Sequence, residues 1–176
     1  MNLQFLEPLK KVPQSDVDQG NFVYILDKTH FKPCCFGAHL AKALGETKER
    51  LLESGRIGRV ASFHWGIKKF KELSGLERDE IDILFYLAGL RSKCGHTINP
   101  FSTADWNYSI KEMIERLEKV DYRQVVEIYG QYSEYMNDLA DSFDGDMDRA
   151  INSMEPAEPV VYFLQEFDDK KERKAV

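Results

Sequence analysis

Cysteine is scarce and odd in number. Three among 176 residues leave at least one thiol without a partner, and they are not spaced as a disulfide framework. This usage predicts a reducing, cytoplasmic setting. Long apolar runs are lacking too: none approaches the about 18 residues that a membrane-spanning helix needs. The opening segment "MNLQFLEPLKKVPQSD" has no basic stretch followed by an apolar one, so it does not read as a secretory leader. No glycine-rich phosphate cradle, no serine elbow and no singled-out carboxylate pair is present. The balance is therefore against an enzyme, although composition does not decide it.

Basic residues are missing from one region in particular. Residues 112–169 hold 4 basic and 16 acidic side chains, whereas residues 1–111 hold 16 basic and 13 acidic ones. Within the first part, residues 42–71 carry 8 basic and 3 acidic groups. The net charge of −6 thus hides a divided chain. A basic region tolerates phosphate and an acidic one repels it. Acidic helix faces also keep proteins dissolved, which is the commoner reason for them.

Hydrophobic residues make up 43% and charged ones 31% of the chain, the profile of a folded protein with a sizeable core. No internal repeat and no linker divides it, so residues 1–176 read as one domain. Residues 1–20 look irregular, punctuated by Pro8, Pro13 and Gly20. Residues 168–176 read as a flexible charged tail. The fold class expected is mainly α, a bundle of about five helices. "NFVYILD" (21–27) and "PVVYFLQEF" (159–167) are rich in β-branched and aromatic residues, and the two can pair as a small two-stranded β element.

Apolar residues at spacings of three and four mark the helices. Phe36, Leu40, Ala43 and Leu44 share a face between Pro33 and Gly45. Phe63, Ile67, Phe70 and Leu73 follow a Ser62 cap. Ile81, Leu84, Phe85 and Ala88 precede a stop at Gly89. Trp106, Ile110, Met113, Ile114 and Leu117 stand behind a Ser102–Asp105 capping-box variant. The period then runs from Tyr122 to Phe143. Residues 103–119 and 122–143 are expected to form an antiparallel hairpin with a very short joint, or else one long bent helix.

Four features suggest chemistry or binding. In "HFKPCCFGAH" (30–39), Cys35 and His39 lie four apart on a helix, so they share a face. Cys94 and His96 in the later polar loop would complete a tetrahedral zinc set of two thiolates and two imidazoles. The alternative for these residues is a small buried cysteine and a histidine satisfied by backbone. Cys34 and Cys35 also sit in a presumed first helical turn beside Lys32, where a thiolate is stabilised. In "DGDMDRAINSME" (144–155), Asp144, Asp146, Asp148 and Glu155 occupy positions 1, 3, 5 and 12 of a calcium loop. Arg149 stands where that loop needs glycine, and Pro156 with Pro159 stop the exiting helix. An ordinary acidic turn explains the same residues.

The third feature is a helix-turn-helix-like unit over 63–89, with Gly75 at the turn. The residues that would meet bases are Glu77, Arg78, Asp79, Glu80 and Asp82, which are mostly acidic. Arg56, Arg59, Lys68 and Lys69 are the candidates for phosphate contact. The fourth feature is the acidic, tyrosine-bearing hairpin. Glu127, Glu134, Asp138, Tyr132 and Tyr135 are its candidate partner-binding residues, because tyrosine offers contact area with a polar end and clustered acids steer a basic partner. The leading expectation is a non-enzymatic regulatory protein acting on a protein partner, with no cofactor. Nucleic-acid binding through 42–71, or zinc binding through the Cys/His set, is the alternative. The sequence does not specify an oligomeric state.

Overall fold

The computed structural model describes residues 1–13, 15, 23–25, 31–33, 36–45, 59–90, 108–146, 148, 151 and 159–174. Among these the fold is mainly α. A 3-10 helix over Gln4–Lys11 comes first. A short antiparallel ribbon follows, β1 (Val23–Ile25) and β2 (Phe31–Pro33), with Tyr24 opposite Lys32. Six α-helices complete the described part: α1 (Phe36–Ala43), α2 (Arg59–Ser74), α3 (Arg78–Leu87), α4 (Ile110–Glu118), α5 (Tyr122–Asp141) and α6 (Pro159–Lys174).

The N-terminal segment expected to be irregular owes its 3-10 form to leucine spacing. A 3-10 helix repeats every three residues, so Leu3, Leu6 and Leu9 fall on one side. All three are buried. Pro8 sits inside the helix and gives up one backbone hydrogen bond there.

α3 is the centre of the molecule. Residues 80–86 are buried without interruption, the acids Glu80 and Asp82 included. It packs on α5, α6 and α2. Ile81, Ile83, Leu84 and Phe85 are wholly excluded from solvent. Phe70 of α2 lies edge-on to Phe85, with centroids 6.2 Å apart, and to Phe5, 5.2 Å away. The α2–α3 turn needs a left-handed residue, and Gly75 supplies it with φ +75°. Ser74 steadies this turn by donating to the Phe70 carbonyl at 2.6 Å and accepting from the Leu76 amide at 3.2 Å.

Three sequence expectations need correction. Residues 159–167 are helix α6, not a strand, and β1 pairs with β2 instead. Val160, Phe163, Leu164 and Phe167 recur at helical spacing. Val160, Phe163 and Leu164 are buried, and Phe167 packs against them and Tyr86. Burial of that stripe outweighs the β preference of its residues. Pro159 suits the first helical position, where its absent N–H costs nothing. Secondly, α4 starts at Ile110, capped by the Ser109 hydroxyl accepting from the Glu112 amide at 3.1 Å. The capping box proposed at Ser102–Asp105 lies outside the described residues. Thirdly, α4 and α5 are separated by only 119–121, yet they do not run along each other. α4 packs on the N-terminal 3-10 helix and α5 on α3. The short joint redirects the chain, so the expected antiparallel hairpin is two helices with different neighbours.

Candidate functional site: the solvent face of α5

Each end of α5 has its own physical logic. Asp121 caps the start, accepting from the Arg123 amide at 3.0 Å and pairing with its guanidinium at 2.7 Å. That hydrogen bonding holds the Asp121 carboxyl below its usual range. At the far end Asp144 and Gly145 both take left-handed backbone, with φ 59° and 80°. The Gly145 amide then donates to the Ala140 carbonyl at 2.9 Å, closing the helix with a C-terminal turn. Aspartate tolerates this conformation better than most side chains.

The inward side of α5 carries Val125, Ile128, Tyr132, Met136 and Ala140, all buried. Tyr122 donates its hydroxyl to the Glu80 carboxylate at 3.2 Å. Glu80 is 8% exposed and also accepts from the Glu77 amide at 2.8 Å, so this buried acid is met by two donors. Asp82, 4% exposed, is paired with Arg78 at 3.3 Å. Burial pushes the Tyr132 hydroxyl well above its usual range, and the nearby Asp79 adds to the effect. Tyr135 is raised by burial as well, and by Glu166.

Of the tyrosines expected to meet a partner, Tyr132 points the wrong way. It is buried and tilts against Phe163, centroids 5.5 Å apart. Tyr135 is half-buried against the same ring at 5.4 Å. Both belong to the aromatic seam that holds α6. Tyr122 and Tyr129 are likewise half-buried, Tyr129 tilted against Tyr132 with centroids 6.3 Å apart.

The outward side differs from the rest of the described surface. Glu127, Glu134 and Asp138 are exposed, as expected, and Asp141 joins them. At 3.6 residues per turn these four fall within roughly 60° around the axis and span about 21 Å along it. Residues 124–148 contain seven acids and no lysine or arginine. Among the described residues, none of the four is in an ion pair. In the described elements before α5 the pattern is the reverse. Lys10 holds Glu7 and Glu118, Lys69 holds Glu72, Lys71 holds Glu77, Lys111 holds Glu115 and Arg116 holds Glu112. The fourth carboxylate, Asp141, was legible in the sequence: 127, 134, 138 and 141 recur at seven, four and three.

The segment expected to form a helix-turn-helix-like unit folds as α2, a turn at Gly75 and α3. Its second helix is buried over 80–86, and of the residues expected to meet bases Glu77 is exposed, Arg78 and Asp79 are half-buried, and Glu80 and Asp82 are buried. Lys69 is taken up by Glu72 at 2.9 Å, and Lys68 is exposed. Arg59 opens α2, and Arg56 lies outside the described residues. The Cys/His set is described only at His39, which is 9% exposed on α1. Cys34, Cys35, Cys94 and His96 lie outside the described residues. So does Glu155 of the calcium-like loop, of which Asp144, Asp146 and Asp148 are exposed. Among the described residues no three metal-ligating side chains converge, and no helix is long and apolar enough to cross a membrane. No family profile, curated protein or solved structure matches this chain.

Proposed function

We propose that this is a non-enzymatic binding protein whose acidic face on α5 takes a basic protein partner. The observation that carries this reading is the row of unpaired carboxylates, Glu127, Glu134, Asp138 and Asp141, on a protein whose other described surface acids mostly have a lysine or arginine beside them. Acids three, four and seven apart on one helix face repel each other. The last two also lie toward the negative end of the helix dipole, with no basic residue in the last turn. An arrangement that costs the folded chain stability and that no described residue offsets is what a surface kept for a partner looks like. Long-range attraction would speed encounter with a basic partner and would weaken as salt is added.

The test is binding of a lysine-rich polypeptide to the wild type and to the Glu127→Lys, Glu134→Lys, Asp138→Lys triple variant. The triple variant is expected to bind at least about ten-fold more weakly, with little remaining dependence on salt. Equal affinity of the two proteins would overturn the reading.

A further inference from the structure

We infer that the partner presents a basic amphipathic α-helix, which crosses α5 at Gly130. This rests on the acidic-face reading above and adds the partner's shape to it. Gly130 lies near the middle of a 20-residue helix and is exposed. A Cβ built there meets nothing within 4 Å, and its backbone is not left-handed. Neither conformation nor internal packing asks for glycine at this position. Glycine nevertheless weakens a helix relative to alanine, because it frees the unfolded backbone. What glycine does provide here is bare backbone that another element can approach closely.

The surroundings of Gly130 divide into two strips. On one side, a turn earlier, stands Val126, which is 48% exposed and one of three large apolar side chains so placed among the described residues. Tyr122 and Tyr129, each half-buried, lie three or four residues from Val126 and share its side, and the short Ser133 continues it. On the other side run the carboxylates of Glu127, Glu134 and Asp138. A helix with an apolar stripe and a flanking row of lysine or arginine matches both strips at once, in the manner of amphipathic helices seated on a surface of opposite charge. A basic chain with no apolar face would satisfy the carboxylates but would leave Val126 uncovered. Nucleic acid and anionic lipid carry the wrong charge for this face.

Two labelled peptides of about 20 residues test the idea with the full chain: one with lysine and leucine at helical spacing, and one of the same composition scrambled so that no apolar face forms. The wild type is expected to bind the amphipathic peptide at least about ten-fold more tightly than the scrambled one. Gly130→Trp should abolish that advantage and leave the scrambled peptide's affinity unchanged. The new side chain enters open space, and a melting curve checks that the variant is folded. Val126→Ser, which alters no backbone, should narrow the same advantage. Equal binding of both peptides to the wild type, or an advantage that survives both substitutions, overturns the helical partner and leaves the acidic face standing. If the charge-reversed triple variant binds both peptides as the wild type does, the acidic face falls as well.

Discussion

The described surface before α5 and the outer face of α5 treat their carboxylates in opposite ways. Around the 3-10 helix and α4, acids serve as local fasteners. Lys10 grips Glu118 through both carboxylate oxygens at 2.8 Å and so ties the chain's start to α4. Arg116 pairs with Glu112, stacks over the Tyr108 ring at 4.7 Å and lies beside Gly89 at the end of α3. On α5 the acids fasten nothing among the described residues. Pairs of the first kind contribute little individually because they are exposed to water. Still, a surface that pairs its charges in one place and leaves a row of one sign bare in another has two kinds of face, and only the bare one is free to attract.

The comparison is sharpest where the inner side of α5 is set against the outer. The largest effect is expected on the inside. Phe85→Ala on α3, at full burial, should cost about 3–5 kcal/mol of stability by leaving a cavity beside Phe70. Chemical denaturation read by circular dichroism measures this. A loss below about 1 kcal/mol would mean that α3 is not the centre of the core.

Next in size is the alkaline limit. Tyr122, Tyr132 and Tyr135 all have hydroxyls raised above their ordinary value, with burial the largest cause. A raised pKa in the folded state means that the neutral form is favoured there. The stability this represents is complete below the unfolded tyrosine pKa, and it fades as pH climbs above about 10. Unfolding followed against pH should therefore begin in that range, and Tyr132→Phe should move its midpoint upward. An unmoved midpoint would show that the inner tyrosines do not set the limit.

The smallest effect belongs to the outside. Asp138→Asn with Asp141→Asn removes two like charges from the negative end of the α5 dipole. The pair should raise the melting temperature by about 1–3 °C at low salt, and by less at high salt. The sign matters more than the size. A fall in melting temperature would mean that these acids stabilise the fold after all, and the contrast between the two faces would disappear.

Particular residues show how far the sequence could be read. The stripes Phe36–Leu40, Ile67–Phe70, Ile81–Leu84–Phe85 and Ile110–Met113–Ile114–Leu117 placed α1 to α4, because helical spacing of apolar residues has few other uses. Gly45, Gly75 and Gly89 marked ends and a turn correctly, and each has left-handed backbone. The segment 159–167 was misread because β-branched and aromatic residues suit a strand and a buried helix alike, and only the neighbouring helices choose between them. The candidate face was legible in charge and period, down to Glu127, Glu134 and Asp138. Tyr132 was not placed correctly, since tyrosines at helical spacing look the same whether they face a partner or Phe163.

Short-range physics thus set the helices, the breaks between them and the uneven distribution of charge, because spacing, caps and composition act within a few residues. Which side of each helix is inside was decided by contacts between residues far apart in the chain. Glu80 and Asp82 read as surface acids on any local criterion. They are buried on a helix packed by α5 and α6, where Glu80 meets Tyr122 of α5 while Asp82 keeps its local partner Arg78 one turn back. The same packing turns Tyr132 inward and leaves Gly130, Val126 and four carboxylates facing out, an outcome that follows from where the bundle places α5 and not from the composition of α5 itself.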